Sequence, residues 1–521
     1  MISGHTAAAV RAAETPLLAA GEPLMLRAAR ALADHVASRL HRASPHSADE
    51  GGPGAPRVLV LAGAGANGGD GLHAAALLRA DGIHADAIAT AGRLHEEGAA
   101  ALREEGGTIL PLADTSAAML EEHLTRTTLV LDAMLGIGGR PEVPAELVPL
   151  LALVRASGLP VIAVDLPSFV DATTGQAAPE ALHATETVTF GAVKAALLLP
   201  GGAERAGTLH LVDLGLAPHL PATPAVLRLE EADARSLLPQ PDRDATKYTR
   251  GVVALAAGSE QYPGAAVLAV SGASRTGAGM VRCLAPQTVL DLVLRERPEV
   301  VGHRVERALG GPDAVDLAAV GRTDALVVGP GLATEDPRAV AGVNCLRAGD
   351  GAGDGAGEGT IARGVIDAGA LGTLTPEHRF GADVVLTPHR GEAERLARRL
   401  GVDPDLPGLL LAPALAEATG ATVLLKGAIT LIAPGAGGPL RTQDDATPQL
   451  ATAGTGDVLT GVLGTLLATG LPGPDAAALA AILHGRAGRL ASHDGLHPLV
   501  ALEVATHLPA AIGSILAGAQ P

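Results

Sequence analysis

Tryptophan is absent from the 521 residues, and only two tyrosines and three phenylalanines are present. That shortage argues against recognition of single-stranded nucleic acid by base stacking on aromatic platforms. Positive charge is also scarce: 38 Lys and Arg face 56 Asp and Glu, a formal charge of −18, which opposes binding to a phosphate backbone. Cys283 and Cys345 are the whole cysteine content. With no histidines at metal-ligand spacing they offer neither a disulfide framework nor a zinc site, and they fit a reducing, cytoplasmic setting. Gly and Pro interrupt every apolar run before it reaches about 20 residues, so no membrane span is expected. The opening MISGHTAAAVRAAETPLL lacks the basic start and long apolar core of a secretory signal.

What the chain does have is aliphatic material, 47% apolar residues, drawn mainly from Ala, Leu and Val. The length exceeds what one core usually organises and favours two domains. GEPLMLRAARALADHVASRL has helical periodicity, and ASPHSADEGGPGAP after it reads as a loop. Short apolar runs then alternate with helical segments: RVLVLAG, TLVLDAML, PVIAVDLP, TVTFGAVKAALLL and TLHLVDLGL. Such alternation predicts an α/β fold with a parallel sheet covered on both faces, here a Rossmann-like three-layer sandwich over residues 1–222. The Pro-rich, charged stretch 223–246 is the expected linker. A second α/β domain, 247–521, is marked by VVALAAG, ALVVGPG, GVIDAG, DVVLTPH and TVLLKGAITLIA. Inside it, RAGDGAGDGAGEGT has the composition of a solvated loop.

In the first half, GAGANGGDG joins a strand to a helix, where glycines permit close ligand approach and helix amides attract anions. Asp132, Asp165 and Ser168 are each expected at the C-terminal end of a strand, the edge at which open α/β sheets bind ligands. Asn67, Asp132 and Ser168 together would offer hard oxygen donors of low total charge, suited to a monovalent cation. The ordered segments GAGANGGDG, LDAMLGIGGRP, AVDLPSFVDATTG and VTFGAVKAALLLPGG resemble the NAD(P)HX epimerase domain. The resemblance implies a potassium site on Asn67, Asp132 and Ser168. It implies substrate contacts from Ala66, Asn67, Gly68, Gly69 and Asp70, and from Gly136, Ile137, Gly138, Gly139, Arg140, Pro141 and Glu142. Asp165 matches the substrate-contacting aspartate and is the expected acid-base group. Ala66, Ile137 and Phe169 depart from the family pattern, Phe169 by standing where the pattern has glycine; Lys194 keeps the family's place.

In the second half, QLATAGTGDVLTGVLGTLLATG sets Gly454, Thr455, Gly456 and Asp457 before an apolar helix. Successive N–H groups there can form an anion hole strengthened by the helix dipole, with a carboxylate at its lip to take a hydroxyl proton during phosphoryl transfer. This stretch, with ALVVGPGLA, VVLTPHRGEAERL and VLLKGAITLIA, is similar to the ribokinase-like ADP-dependent NAD(P)HX dehydratase. The similarity implies that Ala278, Gly331, His389 and Asp457 contact the hydrated nucleotide. Lys426, Gly427, Ala428, Ile429, Thr430, Gly454, Thr455 and Gly456 would face the adenine nucleotide, and Asp457 would be the catalytic base.

Both resemblances together imply a bifunctional repair enzyme. It would epimerise R- and S-NAD(P)HX and dehydrate the S form at the expense of ADP, with K+ in the first domain and Mg2+ carried on the nucleotide. Small molecules, with neither nucleic acid nor membrane, are the expected partners, and a homo-oligomer is expected. A dehydratase with a merely binding first domain, or a small-molecule kinase of the ribokinase class, would share much of this pattern.

Overall fold

The computed structural model describes residues 1–43, 55–305, 320–347 and 361–518. Of the two loops expected from composition, residues 44–54 and 348–360 lie outside the described part. Contacts divide the chain into two compact units, Ile2–Val226 and Leu227–Pro521.

The first unit is built on a seven-stranded parallel sheet. Its spatial order is Ile109–Pro111, His84–Ala89, Arg57–Ala62, Leu129–Ala133, Val161–Val164, Glu186–Phe190 and Thr208–Val212. Strands such as RVLVLA are buried on both sides because each face carries its own core. On one face, Leu32 and Val36 of helix Leu24–Ala43 and Leu72 and Leu78 of helix Ala66–Ala80 pack on Val58, Val60 and Leu131. On the other, helices Ala117–Arg126 and Val148–Ser157 bring Leu120 and Leu151 against Leu59, Leu61 and Val130. A short strand, Ile2–His5, pairs in parallel with Val193–Lys194. It leads into helix Ala7–Ala19, whose N-cap Thr6 accepts the Ala9 N–H at 3.2 Å.

The second unit has a strand order of Val301–Arg304, Met280–Ala285, Val252–Ala256, Ala325–Val328, Gly364–Ile366, Val384–Leu386, Thr422–Leu425, Thr430–Ala433 and Leu440–Gln443. The first seven run parallel and the last two are added through antiparallel pairings, so TVLLKGAITLIA is a hairpin rather than one strand. Helices Pro263–Thr276 and Thr455–Ala468 meet at backbone distance: a Cβ on Gly461 would lie 1.9 Å from the Ala269 carbonyl oxygen, and one on Gly272 2.3 Å from that of Val458. Larger residues at either position would force these helices apart.

Two expectations need correction here. The stretch expected as a linker, 223–246, carries strand Val226–Arg228 and helix Glu231–Leu237. Glu230 and Asp233 close a capping box, which starts a helix despite the surrounding prolines. TVTFGAVKAALLL, expected as one strand, breaks at Gly191 (φ +70°) into Glu186–Phe190, Val193–Lys194 and a 3-10 turn, Ala195–Leu198.

Candidate active sites

In the first unit the expected residues meet at the C-terminal edge of the sheet. The turn between strand Arg57–Ala62 and helix Ala66–Ala80 requires glycine: a Cβ on Gly68 would lie 2.1 Å from the Gly63 carbonyl oxygen. Gly65 caps this helix without any side-chain hydrogen bond, leaving its opening N–H groups for a ligand. Asn67 is buried with its Nδ2 unpartnered, and it lies beside Gly136, whose Cβ, if built, would be 3.2 Å from Asn67 Oδ1. The two expected substrate-binding segments, 66–70 and 136–142, therefore adjoin. Ser168 donates its hydroxyl to Asp132 Oδ1 at 2.5 Å and its N–H to Oδ2 at 2.9 Å, and it accepts the Leu135 N–H at 2.9 Å. Burial pushes the Asp132 carboxyl above the usual carboxylate range against these hydrogen bonds.

Asp165 stands just beyond strand Val161–Val164 in the left-handed region, φ +68°, a strained conformation of the kind found at functional sites. Its Oδ1 receives the Lys194 ammonium, the Phe190 N–H at 3.2 Å and the Thr189 hydroxyl at 3.2 Å. Lys194 is almost wholly buried and also donates to the Phe190 carbonyl at 2.9 Å. Two further carboxylates share this field. Burial pushes the Asp70 carboxyl well above its ordinary value, aided by the charges of Asp165 and Glu14. It makes no hydrogen bond or ion pair with a described residue. Glu14, on helix Ala7–Ala19, is likewise raised by burial. From the same helix Arg11 Nη2 donates to the Ile137 carbonyl at 3.0 Å, fastening the 136–142 segment. Neither Arg11 nor Glu14 carries a sequence signal, since helical periodicity does not reveal which partner a polar face meets. Phe169 also has positive φ, +65°, which accounts for the glycine in the family pattern. Its ring is buried in the apolar core with Val130 and Met134.

In the second unit, Gly454 (φ +89°) caps helix Thr455–Ala468, again with no side-chain cap. The N–H groups of Gly454, Thr455 and Gly456 find no acceptor among the described residues. The Thr455 hydroxyl is engaged by the carbonyls of Leu450 (2.8 Å) and Thr452 (3.0 Å), so Thr455 can offer a ligand only its backbone. Beneath the turn, His484 is partly buried and its imidazole is lowered to about 4 by burial; neutral, it donates Nε2–H to the Thr455 carbonyl at 2.9 Å. The Asp457 carboxylate makes no hydrogen bond or ion pair with any described residue. Burial and the neighbouring Asp367 charge raise it to about 7 against the pull of Lys426. Lys426 is instead paired to Asp367 Oδ1 at 3.0 Å and lies 3.8 Å from Glu392 Oε2, yet a Cβ on Gly456 would sit 3.5 Å from its Nζ.

Lys426 to Ile429 form the turn of the antiparallel hairpin and Thr430 opens its second strand, with Gly427 and Ala428 exposed. His389 caps helix Arg390–Leu400: its Nδ1 accepts the N–H groups of Gly391 (3.1 Å) and Glu392 (3.3 Å), so its proton sits on Nε2. Gly331 (φ +67°) packs against the start of helix Pro263–Thr276, where a Cβ would meet Ala265 Cβ at 2.6 Å and the Tyr262 carbonyl at 2.8 Å. Ala278 is not part of this grouping. It follows the C-terminal end of that 14-residue helix, about 20 Å along the axis from the end beside Gly331. The glycine-rich signature straddles both ends of the helix, and only its first part reaches the site. Asp367, Glu392 and His484 were missed; Asp367 obeys the strand-end rule that flagged Asp132, whereas His484 reaches the turn only through tertiary packing.

Two α/β units, each presenting carboxylates and uncapped helix amides, define a two-centre nucleotide enzyme. The NAD(P)H-hydrate dehydratase family model matches residues 253–509, and that of the YjeF-related protein N-terminus matches 21–196. The bifunctional NAD(P)H-hydrate repair enzyme Nnr of Mycobacterium tuberculosis is 38% identical over 477 residues, covering 90% of each chain. Its Mycobacterium leprae namesake is 37% identical over 522 residues, covering 98% of this chain and 99% of that one. Among solved structures, an ADP/ATP-dependent NAD(P)H-hydrate dehydratase from Bacillus subtilis, co-crystallised with ATP and Mg2+, is 30% identical over 55% of this chain and 97% of that one, with a TM-score of 0.45. The chain belongs to the family of bifunctional NAD(P)H-hydrate repair enzymes.

Proposed function

We propose that the second unit removes water from the S epimer of hydrated NADH or NADPH at the expense of ADP. The unpaired Asp457 carboxylate at the lip of three unsatisfied N–H groups carries this reading. Asp457 takes the proton of the C6 hydroxyl as that oxygen attacks the β-phosphorus, and AMP departs. The Gly454, Thr455 and Gly456 amides hold the charge developing on the transferred group, with Lys426 beside them. Phosphate then leaves C6 with loss of a C5 proton, restoring the reduced ring. Magnesium travels on the nucleotide's phosphates.

The first unit interconverts the C6 epimers. Asp165, oriented by the Lys194 ammonium, exchanges protons with the hydrated ring, while the 66–70 and 136–142 backbones position the dinucleotide. Asn67, Asp132 and Ser168 suit potassium. Asp132 is an enclosed carboxylate with no cationic side chain against it among the described residues, and its neighbours supply a hydroxyl and an amide. A bound K+ would neutralise that carboxylate and order the loops that hold substrate.

The test is incubation with mixed R- and S-hydrated NADPH and ADP, following absorbance of the reduced ring. Recovery of both epimers is expected. Recovery of the S portion alone would sink the epimerase assignment, and failure to recover either in an ADP-dependent way would sink the dehydratase assignment.

A further inference from the structure

Away from both sites, three side chains converge on the first unit. His35 Nε2 lies 2.7 Å from Glu186 Oε2, and His210 Nε2 lies 3.1 Å from the same oxygen. One ligand atom from each falls within 4.8 Å of the others. We propose that His35, Glu186 and His210 form a binding site for a divalent transition-metal ion, with Zn2+ the natural probe.

The donors come from rigid elements, which hold geometry better than loops do. Glu186 and His210 lie on adjacent parallel strands, in a register that pairs Glu186 with Thr208 and Val188 with His210. They therefore share one sheet face. Val188 on that face belongs to the core beneath helix Leu24–Ala43, and His35 descends from that helix between the buried Leu32 and Val36. Two imidazole nitrogens and one carboxylate oxygen are a donor set for zinc, copper or nickel rather than for magnesium, and three protein donors leave a tetrahedral ion one water position. Zinc bonds of about 2.0–2.2 Å would set donors roughly 3.3–3.5 Å apart, so the His35–Glu186 pair would open by about 0.6–0.8 Å and the His210–Glu186 pair by about 0.2–0.4 Å. The other carboxylate oxygen of Glu186 is held by Arg39, one helical turn after His35, which fixes the carboxylate's orientation. Glu186 opens its strand, whereas Phe190, which contacts Lys194, closes it. About 13 Å of strand thus separates this cluster from the Asp165 site. A bound ion would staple helix Leu24–Ala43 to the sheet rather than enter the reaction.

The experiment uses the full chain, chelator-treated and then titrated with Zn2+ by calorimetry, together with thermal unfolding. Wild type should bind with micromolar or tighter affinity and unfold at higher temperature with zinc; Mg2+ should do neither. Removing one of three ligands should weaken binding about 100-fold, at least the loss typical of outer-shell changes. A second histidine pair, His493 and His497, sits in the other unit, so the comparison is between wild type and the His35→Ala/His210→Ala variant. His210→Gln, at a partly exposed position, serves if the double variant unfolds. Zinc affinity unchanged in these variants, or absent from wild type, would overturn the proposal. Repair activity is not the readout, so the result is independent of the function proposed above.

Discussion

Each unit sets a lysine beside its principal carboxylate, and the two lysines choose differently. Lys194 pairs directly with Asp165, and the pair is enclosed. Lys426 pairs with Asp367 and approaches Glu392, leaving Asp457 without a partner and raised to about 7. A carboxylate bonded to an ammonium is held in place. One denied a partner by a competing carboxylate is poised to take up and give back a proton near neutral pH. The same residue types thus give a carboxylate oriented by its lysine in one unit and, with burial, an unpartnered base raised to about 7 in the other.

The largest expected effect comes from abolishing the base. Asp457→Asn should lower the dehydration rate about 10³-fold with ADP binding retained, while Asp165→Asn should leave turnover of the pure S epimer unchanged and stop recovery of the R epimer. Loss of S turnover in Asp165→Asn would mean that the two centres are not separate. Next is the removal of the enclosed partner. Lys194→Met strands the Asp165 charge and should destabilise the first unit by about 3 kcal/mol, read by chemical unfolding. Smaller, and most diagnostic, is the pH dependence. Dehydration should fall about tenfold per unit below pH 7 as Asp457 takes up its proton. Asp367→Asn removes the charge that raises Asp457, so this acid limb should move to lower pH. An unmoved limb would detach Asp367 from the comparison. The sign for stability is opposite to that of a salt-bridged acid: between the unfolded value and about 7 the native state binds more protons, so ionising Asp457 costs stability as pH rises through that window.

Much of this was legible in the sequence. Strands rich in Val, Leu and Ile, such as Arg57–Ala62 and Val252–Ala256, announced themselves because both faces are buried. His84–Ala89 and Met280–Ala285 did not, since His84, Asp86 and Arg282 break the apolar run while serving the partly buried outer strands. The helix Ala7–Ala19 was passed over as an unremarkable opening, and with it Arg11 and Glu14, whose meaning lies in contacts with Ile137 and with the Asp165–Lys194 pair far along the chain. Ala278 was implied by the resemblance, although a whole helix lies between it and the end beside Gly331. Phe169 departs from the glycine of the family pattern, yet its backbone keeps the glycine-like turn and its ring fills the core.

Both sites begin at a helix capped by glycine, Gly65 and Gly454, with no side chain over the first turn. A serine or aspartate side chain would give the first turn an acceptor, worth only a few tenths of a kcal/mol over glycine, so each unit has left its most reactive turn open at little cost. The phosphate or nucleotide that fills the gap acts, in folding terms, as the missing cap. In the free protein the amides of Thr455 and Gly456 should therefore exchange hydrogen with solvent faster than those deeper in the helix, and occupancy should be visible as their slowing before any chemistry occurs.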